Sequence, residues 1–174
     1  DPIGAVGSLF SGIFNGNSYI VSNLFINRPT ENSMGLFAAV SGTVNDLELT
    51  SVDVTGQALV GGLSGSVNSI GTINNCDVSG TVDNTERTAP PFPNIGGLIG
   101  SNGGTINDCS SSCNITAYGH VGGVTGDCAS SGTHNRCFAT GNIVGVSCAL
   151  SSANTGGLIG DMCGNLNDCY ATGS

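Results

Sequence analysis

The chain has 174 residues, including 29 glycines but no lysine or tryptophan; only 9% of its residues are charged, and its formal charge is −9. This acidic balance argues against binding to nucleic acid or to an anionic membrane surface, both of which need basic patches. The apolar residues form short runs, well below the roughly 20 residues of a membrane-spanning helix, so membrane insertion is not expected. Glycine, Asn, Ser and Thr form helices poorly, and the composition therefore predicts a β protein with many turns.

In chain order, residues 1–34 are predicted to form one or more N-terminal coils, and residues 35–174 to form five copies of one unit. Each copy begins with a Gly-Leu-type block and continues with a Thr-x-Asn-type block. The first blocks are residues 35–38, 62–65, 97–100, 123–126 and 157–160. The second blocks are residues 43–47, 72–76, 105–109, 133–137 and 165–169. Because so small a unit cannot bury a face alone, it must stack on its own copies. We predict a single all-β domain over residues 1–174, a right-handed parallel β-solenoid of about five to six coils.

Stacking places equivalent residues in columns along the axis, with about 4.8 Å between coils. One column has asparagine in every repeat, and stacked amides can donate and accept along it as a buried polar ladder. Its members are Asn45, Asn74, Asn107, Asn135 and Asn167. The column two residues later is predicted to face inward and consists of Leu47, Cys76, Cys109, Cys137 and Cys169. A threonine column predicts hydroxyl pairing between coils, with ice binding as the weaker alternative; its members are Thr43, Thr72, Thr105 and Thr133.

Two long coils contain insertions near residues 83–94 and 144–154. Insertions two coils apart should project from the same flank, where repeat proteins often bind their ligands. They predict either a binding surface for a glycan or protein, or loops that the fold merely tolerates.

With these repeat blocks, the chain resembles the GLUG-motif repeat of secreted and surface proteins, from about residue 10 to residue 174. The resemblance rests on Gly-Gly-Leu-Ile-Gly at residues 96–100, Gly-Thr-Ile-Asn-Asp-Cys at 104–109 and Tyr-Ala-Thr-Gly at 170–173. Residues 10–17 and 20–26 are similar to the opening coils of adhesin-type β-helices. The resemblance implies a β-solenoid of the kind found in large extracellular adhesins and in the non-catalytic part of some surface peptidases, and it implies no activity. The chain departs from this pattern in its cysteine density and its two insertions.

The chain has an even number of cysteines, no lysine and no motif typical of a reducing compartment. These features favour an oxidising, extracellular location. All eight are disulfide candidates: Cys76, Cys109, Cys113, Cys128, Cys137, Cys148, Cys163 and Cys169. Cys128 and Cys163 follow equivalent Gly-Asp pairs and form the favoured pairing, which leaves Cys113 for Cys148. Free inward thiols are the alternative for the stacked column, and a zinc site at Cys109, Cys113 and Cys128 is less favoured because no CxxC pair exists.

The sequence offers little chemistry for catalysis, and no enzyme activity, cofactor or catalytic residue is predicted. Asp127 and Asp161 occupy equivalent positions in adjacent coils and form a weak calcium candidate, with solvated corner acids as the preferred interpretation. His120 and His134 have no evident Ser or Cys partner for nucleophilic catalysis. Asn114 begins the one full glycosylation sequon, Asn-Ile-Thr.

Neither chain end carries a polar capping repeat, although exposed solenoid ends are open sheet edges. Two expectations follow: a slice of a longer surface protein, or subunits that self-associate head to tail. The preferred function is an extracellular structural unit of an adhesin-like stalk or fibril. The alternatives are a glycan- or protein-binding module that uses the insertions and, less favoured, a carbohydrate-active β-helix enzyme.

Overall fold

The computed structural model describes residues 1–4, 8–84, 93–146 and 154–173. These ranges contain 21 strands and no helix, and therefore no helix with the length and apolar character needed to span a membrane. The strands are β1 (Ile13–Ser22), β2 (Phe25–Asn27), β3 (Phe37–Val40), β4 (Thr43–Thr55), β5 (Val60–Gly61), β6 (Ser64–Val67), β7 (Thr72–Asp83), β8 (Asn94–Gly96), β9 (Ile99–Asn102), β10 (Thr105–Asn107), β11 (Ser110–Ser111), β12 (Asn114–Ala117), β13 (His120–Gly122), β14 (Thr125–Cys128), β15 (Thr133–Asn135), β16 (Phe138–Ala139), β17 (Ile143–Gly145), β18 (Thr155–Gly156), β19 (Ile159–Met162), β20 (Asn165–Asn167) and β21 (Tyr170–Ala171).

The strands form three parallel sheets that run along the molecule. One sheet has the order β19-β14-β9-β6-β3, a second has the order β18-β13-β8-β5, and a third has 12 strands, with β20-β15-β10-β7-β11-β16-β21 as its path. Each strand pairs with its equivalents in neighbouring coils, as Thr105 does with both Thr72 and Thr133. The chain is thus a parallel β-solenoid of about five turns, and the predicted fold class is confirmed.

In every repeat, one residue with a left-handed backbone conformation bends the third sheet. Strand alternation places residues two apart on one face, yet Val44 and Leu47, three apart, are both buried. The residue between Asn45 and Leu47 resolves the conflict, because Asp46 adopts a φ of 53°. Its equivalents adopt φ values of 50–53° and are Asn75, Asp108, Arg136 and Asp168. Asn and Asp tolerate this conformation better than most residues, which explains their frequency at the corner.

Glycine is required where two coils touch at the Gly-Leu corner. A Cβ on Gly97 would overlap the Ser111 hydroxyl and the carbonyl oxygen of Gly123. Both neighbours belong to packed coils, so a larger residue could not be accommodated without moving a coil.

The core is the stack of inward side chains between the sheets. Val44, Ile73 and Ile106 share one column and are fully buried. Cys76, Cys109 and Cys137 share the next and are also fully buried, as predicted for small apolar side chains at these positions. Coils in the middle of the molecule therefore hide their inward columns completely.

The two terminal coils are different. We call residues 8–27 the N-terminal coil and residues 154–173 the C-terminal coil. Leu166 continues the column of Val44, Ile73 and Ile106, yet it is 46% exposed because no coil covers it. Of the 12 exposed large apolar side chains in the described ranges, all but Ile70 and Val144 precede residue 28 or follow residue 161. The first and last coils of the described residues therefore carry most of the exposed large apolar side chains.

Candidate functional site

The asparagine column forms a continuous hydrogen-bonded ladder. The Nδ2 of Asn74 donates to the Oδ1 of Asn45 at 2.8 Å, and Asn107, Asn135 and Asn167 repeat this contact at 2.7, 2.7 and 2.8 Å. Every bond runs in the same direction, from the later coil to the earlier one. The side chains are half-exposed, and that of Asn167 is exposed, so the expectation of a buried ladder is wrong. The left-handed corner explains this, because it places the amides at the edge of the cross-section.

The corner column beside the ladder has alternating hydrogen-bond donors and acceptors. Asn75 donates from Nδ2 to Asp46 at 2.8 Å, and Arg136 donates from Nε and Nη2 to Asp108 at 2.5 and 2.7 Å. Arg136 lowers the pKa of Asp108 through these bonds. The two residues that interrupt the acidic column therefore each bind a carboxylate of the preceding coil.

The seven cysteines in the described ranges are free thiols in this structure, and Cys148 lies outside those ranges. The backbone N–H of Cys76 donates to the Cys109 Sγ at 3.4 Å, and that of Cys137 donates to the Cys169 Sγ at 3.2 Å. Burial raises the pKa of Cys137 to about 12. Cys128 accepts a backbone hydrogen bond from Cys163 at 3.0 Å, which places these two residues in adjacent coils. Their disulfide remains a prediction.

A buried polar cluster lies inside the fourth of the five repeats and was not anticipated. The Nε2 of His134 lies 2.8 Å from the Thr125 Oγ1, and its Nδ1 lies 3.8 Å from the Cys128 Sγ. All three residues are fully buried. The expectation that His134 has no cysteine partner is therefore wrong. Its Cys128 partner is no catalytic nucleophile candidate, because burial raises the pKa of that thiol to about 11 and hides it from solvent.

Burial also determines the charge of His134. Desolvation lowers its pKa to about 4, so the imidazole is neutral at pH 7. A neutral imidazole needs one donor and one acceptor partner, which the hydroxyl and thiol supply. The cluster is thus a polar substitute for the apolar side chains found at His134's position in other coils.

The two carboxylates of the predicted calcium site are neighbours in adjacent coils, but each contacts a different residue. Asp127 and Asp161 face each other between β14 and β19. The Asp127 Oδ2 accepts from the Ser101 hydroxyl at 3.1 Å, whereas the Asp161 Oδ2 lies 3.6 Å from the His120 Nδ1. In the part of the chain that the structure describes, no group of three or more His, Cys, Asp or Glu side chains could hold a metal ion. This result also gives no support to the zinc alternative at Cys109 and its neighbours.

The glycosylation candidate lies on the outer surface. Asn114 begins β12, is exposed and accepts the backbone N–H of Asn142 on its Oδ1 at 3.2 Å. The two insertions fall largely at residues 85–92 and 147–153, outside the described residues, so the predicted binding surface there is a matter of sequence alone.

Comparison with known proteins gives two relatives. The chain is 33% identical over 159 residues to halomucin of Haloquadratum walsbyi, an alignment covering 73% of this chain and 2% of halomucin. It is 41% identical over 83 residues to a putative Gly-rich membrane protein of Evansella cellulosilytica, covering 45% of this chain and 9% of that protein. The chain thus spans only a small part of each relative. No protein-family model matches it, and no solved structure matches it significantly.

Proposed function

We propose that this chain is a non-catalytic structural unit of an extracellular, adhesin-like surface protein, built from GLUG-type repeats. The observation that supports this most strongly is the unbroken Asn45–Asn167 ladder. Its amides bind one another from coil to coil, so the most regular residue of the repeat stabilises the stack rather than a ligand site.

The remaining polar columns support the same role. Arg136 and Asn75 bind the corner acids, and the inward thiols fill the core. Two of the corner acids and the inward thiols are therefore engaged in contacts between coils. A stiff rod with few free reactive groups suits a stalk or fibril.

The relatives support a surface location. Their names denote a mucin and a membrane protein, and both are far longer than this chain. A repeat segment within long surface proteins agrees with the composition, which is poor in lysine and rich in Ser, Thr and Asn. The glycan- or protein-binding alternative depends on the insertions near residues 83–94 and 144–154.

The location is tested by labelling intact cells of the producing organism with antibodies against the purified chain. We expect labelling without permeabilisation, and labelling only after lysis would overturn the extracellular role. The non-catalytic role is tested by incubating the purified chain with a panel of polysaccharides and assaying reducing ends or unsaturated products. Turnover that Asp127→Asn abolishes, while Asp53→Asn in the 12-stranded sheet does not, would overturn it.

A further inference from the structure

The inward cysteines of the 12-stranded sheet form one uninterrupted column. It consists of four cysteines in four successive coils, each two residues after an asparagine of the ladder: Cys76, Cys109, Cys137 and Cys169. The residues that directly follow them pair in register from coil to coil, as Ser110 does with Asp77 and Phe138. Equivalent Cα atoms in stacked coils lie about 4.8 Å apart, within the roughly 4.4–6.8 Å that a disulfide spans. Each cysteine of the column therefore lies within bonding range of the cysteine in the next coil.

All four thiols adopt the same orientation, toward the preceding coil. Each Sγ lies 3.0–3.4 Å from the carbonyl oxygen of the residue two positions earlier. The Cys109 Sγ also contacts the coil of Cys76, because it accepts the Cys76 backbone N–H at 3.4 Å. The Cys169 Sγ accepts the backbone N–H of Cys137 at 3.2 Å in the same way. The later thiol of each pair thus lies against the backbone of the earlier cysteine, and rotation of the earlier side chain about χ1 brings the two sulfur atoms together.

The order of side chains in the column determines which thiols can pair. The residue that precedes Cys76 in the column is Leu47, which pairs with it in register. Within the column, Cys109 is therefore the neighbour that offers Cys76 a thiol. With Cys109 bonded to Cys76, the thiol left for Cys137 is that of Cys169. The same two pairs are those in which a backbone N–H contacts the sulfur of the partner.

The first pair is fully buried, and its two thiols differ in acidity. Cys76 and Cys109 have no surface accessible to solvent. A side-chain hydrogen bond from the Cys109 thiol lowers the pKa of Cys76, whereas burial raises the pKa of Cys109. The two sulfur atoms thus interact directly, and thiolate character falls on Cys76. A thiolate is the nucleophile that thiol–disulfide exchange requires.

We propose that, when the chain folds in the presence of an oxidant, two disulfides, Cys76–Cys109 and Cys137–Cys169, join adjacent coils along this column. Folding under reducing conditions leaves all four thiols free, as they are in the structure. The inference rests on the proposed function in one respect, the extracellular location that supplies oxidising surroundings. The bonded residues are 33 and 32 positions apart in the sequence, so each disulfide spans one complete coil. Two pairs of adjacent coils are then held together by a covalent bond as well as by hydrogen bonds.

The oxidant is a low-molecular-weight disulfide such as oxidised glutathione. The thiolate of Cys76 attacks one sulfur of that disulfide, which releases one thiol and leaves a mixed disulfide on Cys76. The thiolate of Cys109 then attacks the Cys76 sulfur and expels the second thiol. Two electrons pass from the cysteine pair to the oxidant, and the two cysteine protons end on the two released thiols. Because both cysteines are buried in the finished fold, the exchange takes place before their coils close.

Peptide mapping tests the pairing directly. The parent variant carries Cys113→Ala, Cys148→Ala and Cys163→Ala, which leaves the four column cysteines and Cys128. It is refolded in a glutathione redox buffer, unfolded in urea with iodoacetamide present, and cleaved before aspartate and after arginine without reduction. Each remaining cysteine then lies in a peptide of its own: residues 53–76, 108–126, 127–136, 137–160 and 168–174.

We expect mass spectrometry to find the Cys76 peptide joined to the Cys109 peptide. The Cys137 peptide should likewise be joined to the Cys169 peptide, and reduction should separate both pairs. The wild-type chain should contain the same two links. A link between the Cys109 and Cys137 peptides, or alkylation of all four column thiols in a refolded chain, would overturn the inference.

Cys109→Ala in the parent variant leaves Cys76 without a partner. Cys76 should then be alkylated, while Cys137 stays joined to Cys169. Cys128→Ala is the matched control, because it removes a buried thiol outside the column, and it should keep both links. Circular dichroism of each variant establishes that the coils are folded. Loss of either link in the folded control would show that pairing does not follow the column and would refute the proposal.

Reduction should also weaken the stack. A disulfide stabilises a fold mainly by restricting the unfolded chain, and the effect grows with the length of the closed loop. We expect the urea midpoint of the oxidised parent variant to fall on reduction, and to fall less with Cys109→Ala, which has one link fewer. An unchanged midpoint in a chain that carries both links would overturn their role in holding the coils together.

The outcomes separate this inference from the proposed function. A chain found on the cell surface whose column thiols stay free after oxidative refolding overturns the two disulfides and leaves the structural role standing. A chain that forms both links on refolding but is found only inside cells overturns the extracellular role and leaves the pairing standing.

Discussion

The buried histidine makes acid sensitivity a testable property of this solenoid. His134 is fully buried, and its pKa is lowered from an ordinary value of 6.5 to about 4. In the unfolded chain the imidazole binds a proton below about pH 6.5, while in the folded chain it does so only below about pH 4. The stability that neutral His134 contributes is therefore complete above pH 6.5 and is lost as the pH falls toward 4.

The magnitude follows from the size of the shift. A difference of about 2.5 units, at about 1.36 kcal/mol per unit, corresponds to about 3 kcal/mol between pH 7 and pH 4. No allowance for solvent screening is needed, because the ring is buried. We expect the free energy of unfolding, measured by urea denaturation under reducing conditions, to fall by about this amount more than in a variant without the histidine.

His134→Ile is the informative variant, since Ile73 and Ile106 occupy the same column. It leaves the Thr125 hydroxyl unpaired at a cost of about 1–3 kcal/mol, so the double variant with Thr125→Ile, which continues the Ile99 column, is also needed. Both variants should lose the extra fall in stability between pH 7 and pH 4. His120→Gln should keep it. A double variant with the full acid sensitivity of the wild type would refute the assignment to His134.

Three further predictions concern packing and reactivity. Asn107→Ala breaks two ladder bonds and should lower the free energy of unfolding by about 1–3 kcal/mol. Asn167→Ala breaks one bond and should lower it by about half as much. Equal losses of stability in urea titrations would argue against the ladder. Gly97→Ala should destabilise the chain by at least about 2 kcal/mol because its Cβ meets packed backbone, while Gly103→Ala, whose Cβ meets only ordinary contacts, should be nearly neutral in thermal denaturation. Among the described cysteines, Cys163 is the exposed one and should react first with iodoacetamide at pH 8, as followed by peptide mass spectrometry, with the buried thiols reacting only in urea.

The repeats made the stacked architecture predictable, because each column can be read directly from five aligned copies. Asn107 and Ile106 recur in equivalent positions, and the structure places them in the expected register. The left-handed corner was also encoded in the sequence: two inward positions three residues apart, such as Val44 and Leu47, cannot both face inward on an unbent strand. Half-exposure of the ladder follows from that bend and could have been inferred from it.

The His134 cluster was harder to predict because its partners lie in different columns. Thr125 follows Ile99 in one column, and Cys128 follows Asn102 in another. Considered separately, each of these residues resembles a change that the core merely tolerates. The available signal is that three inward positions of one coil, Thr125, Cys128 and His134, all hold polar or soft side chains. Recognising it required knowing that these columns converge in the same layer.

The serial order of the coils determines how the molecule responds to pulling. Consecutive rungs of the ladder are separated by 29, 33, 28 and 32 residues, and each coil contacts only its neighbours. Tension applied along the axis loads the hydrogen bonds between coils in their own direction, so an end coil detaches while the rest stays folded. Each detachment frees about 100 Å of chain at roughly 3.3–3.6 Å per residue. A rod of this kind extends in steps of nearly constant length and dissipates mechanical work one coil at a time.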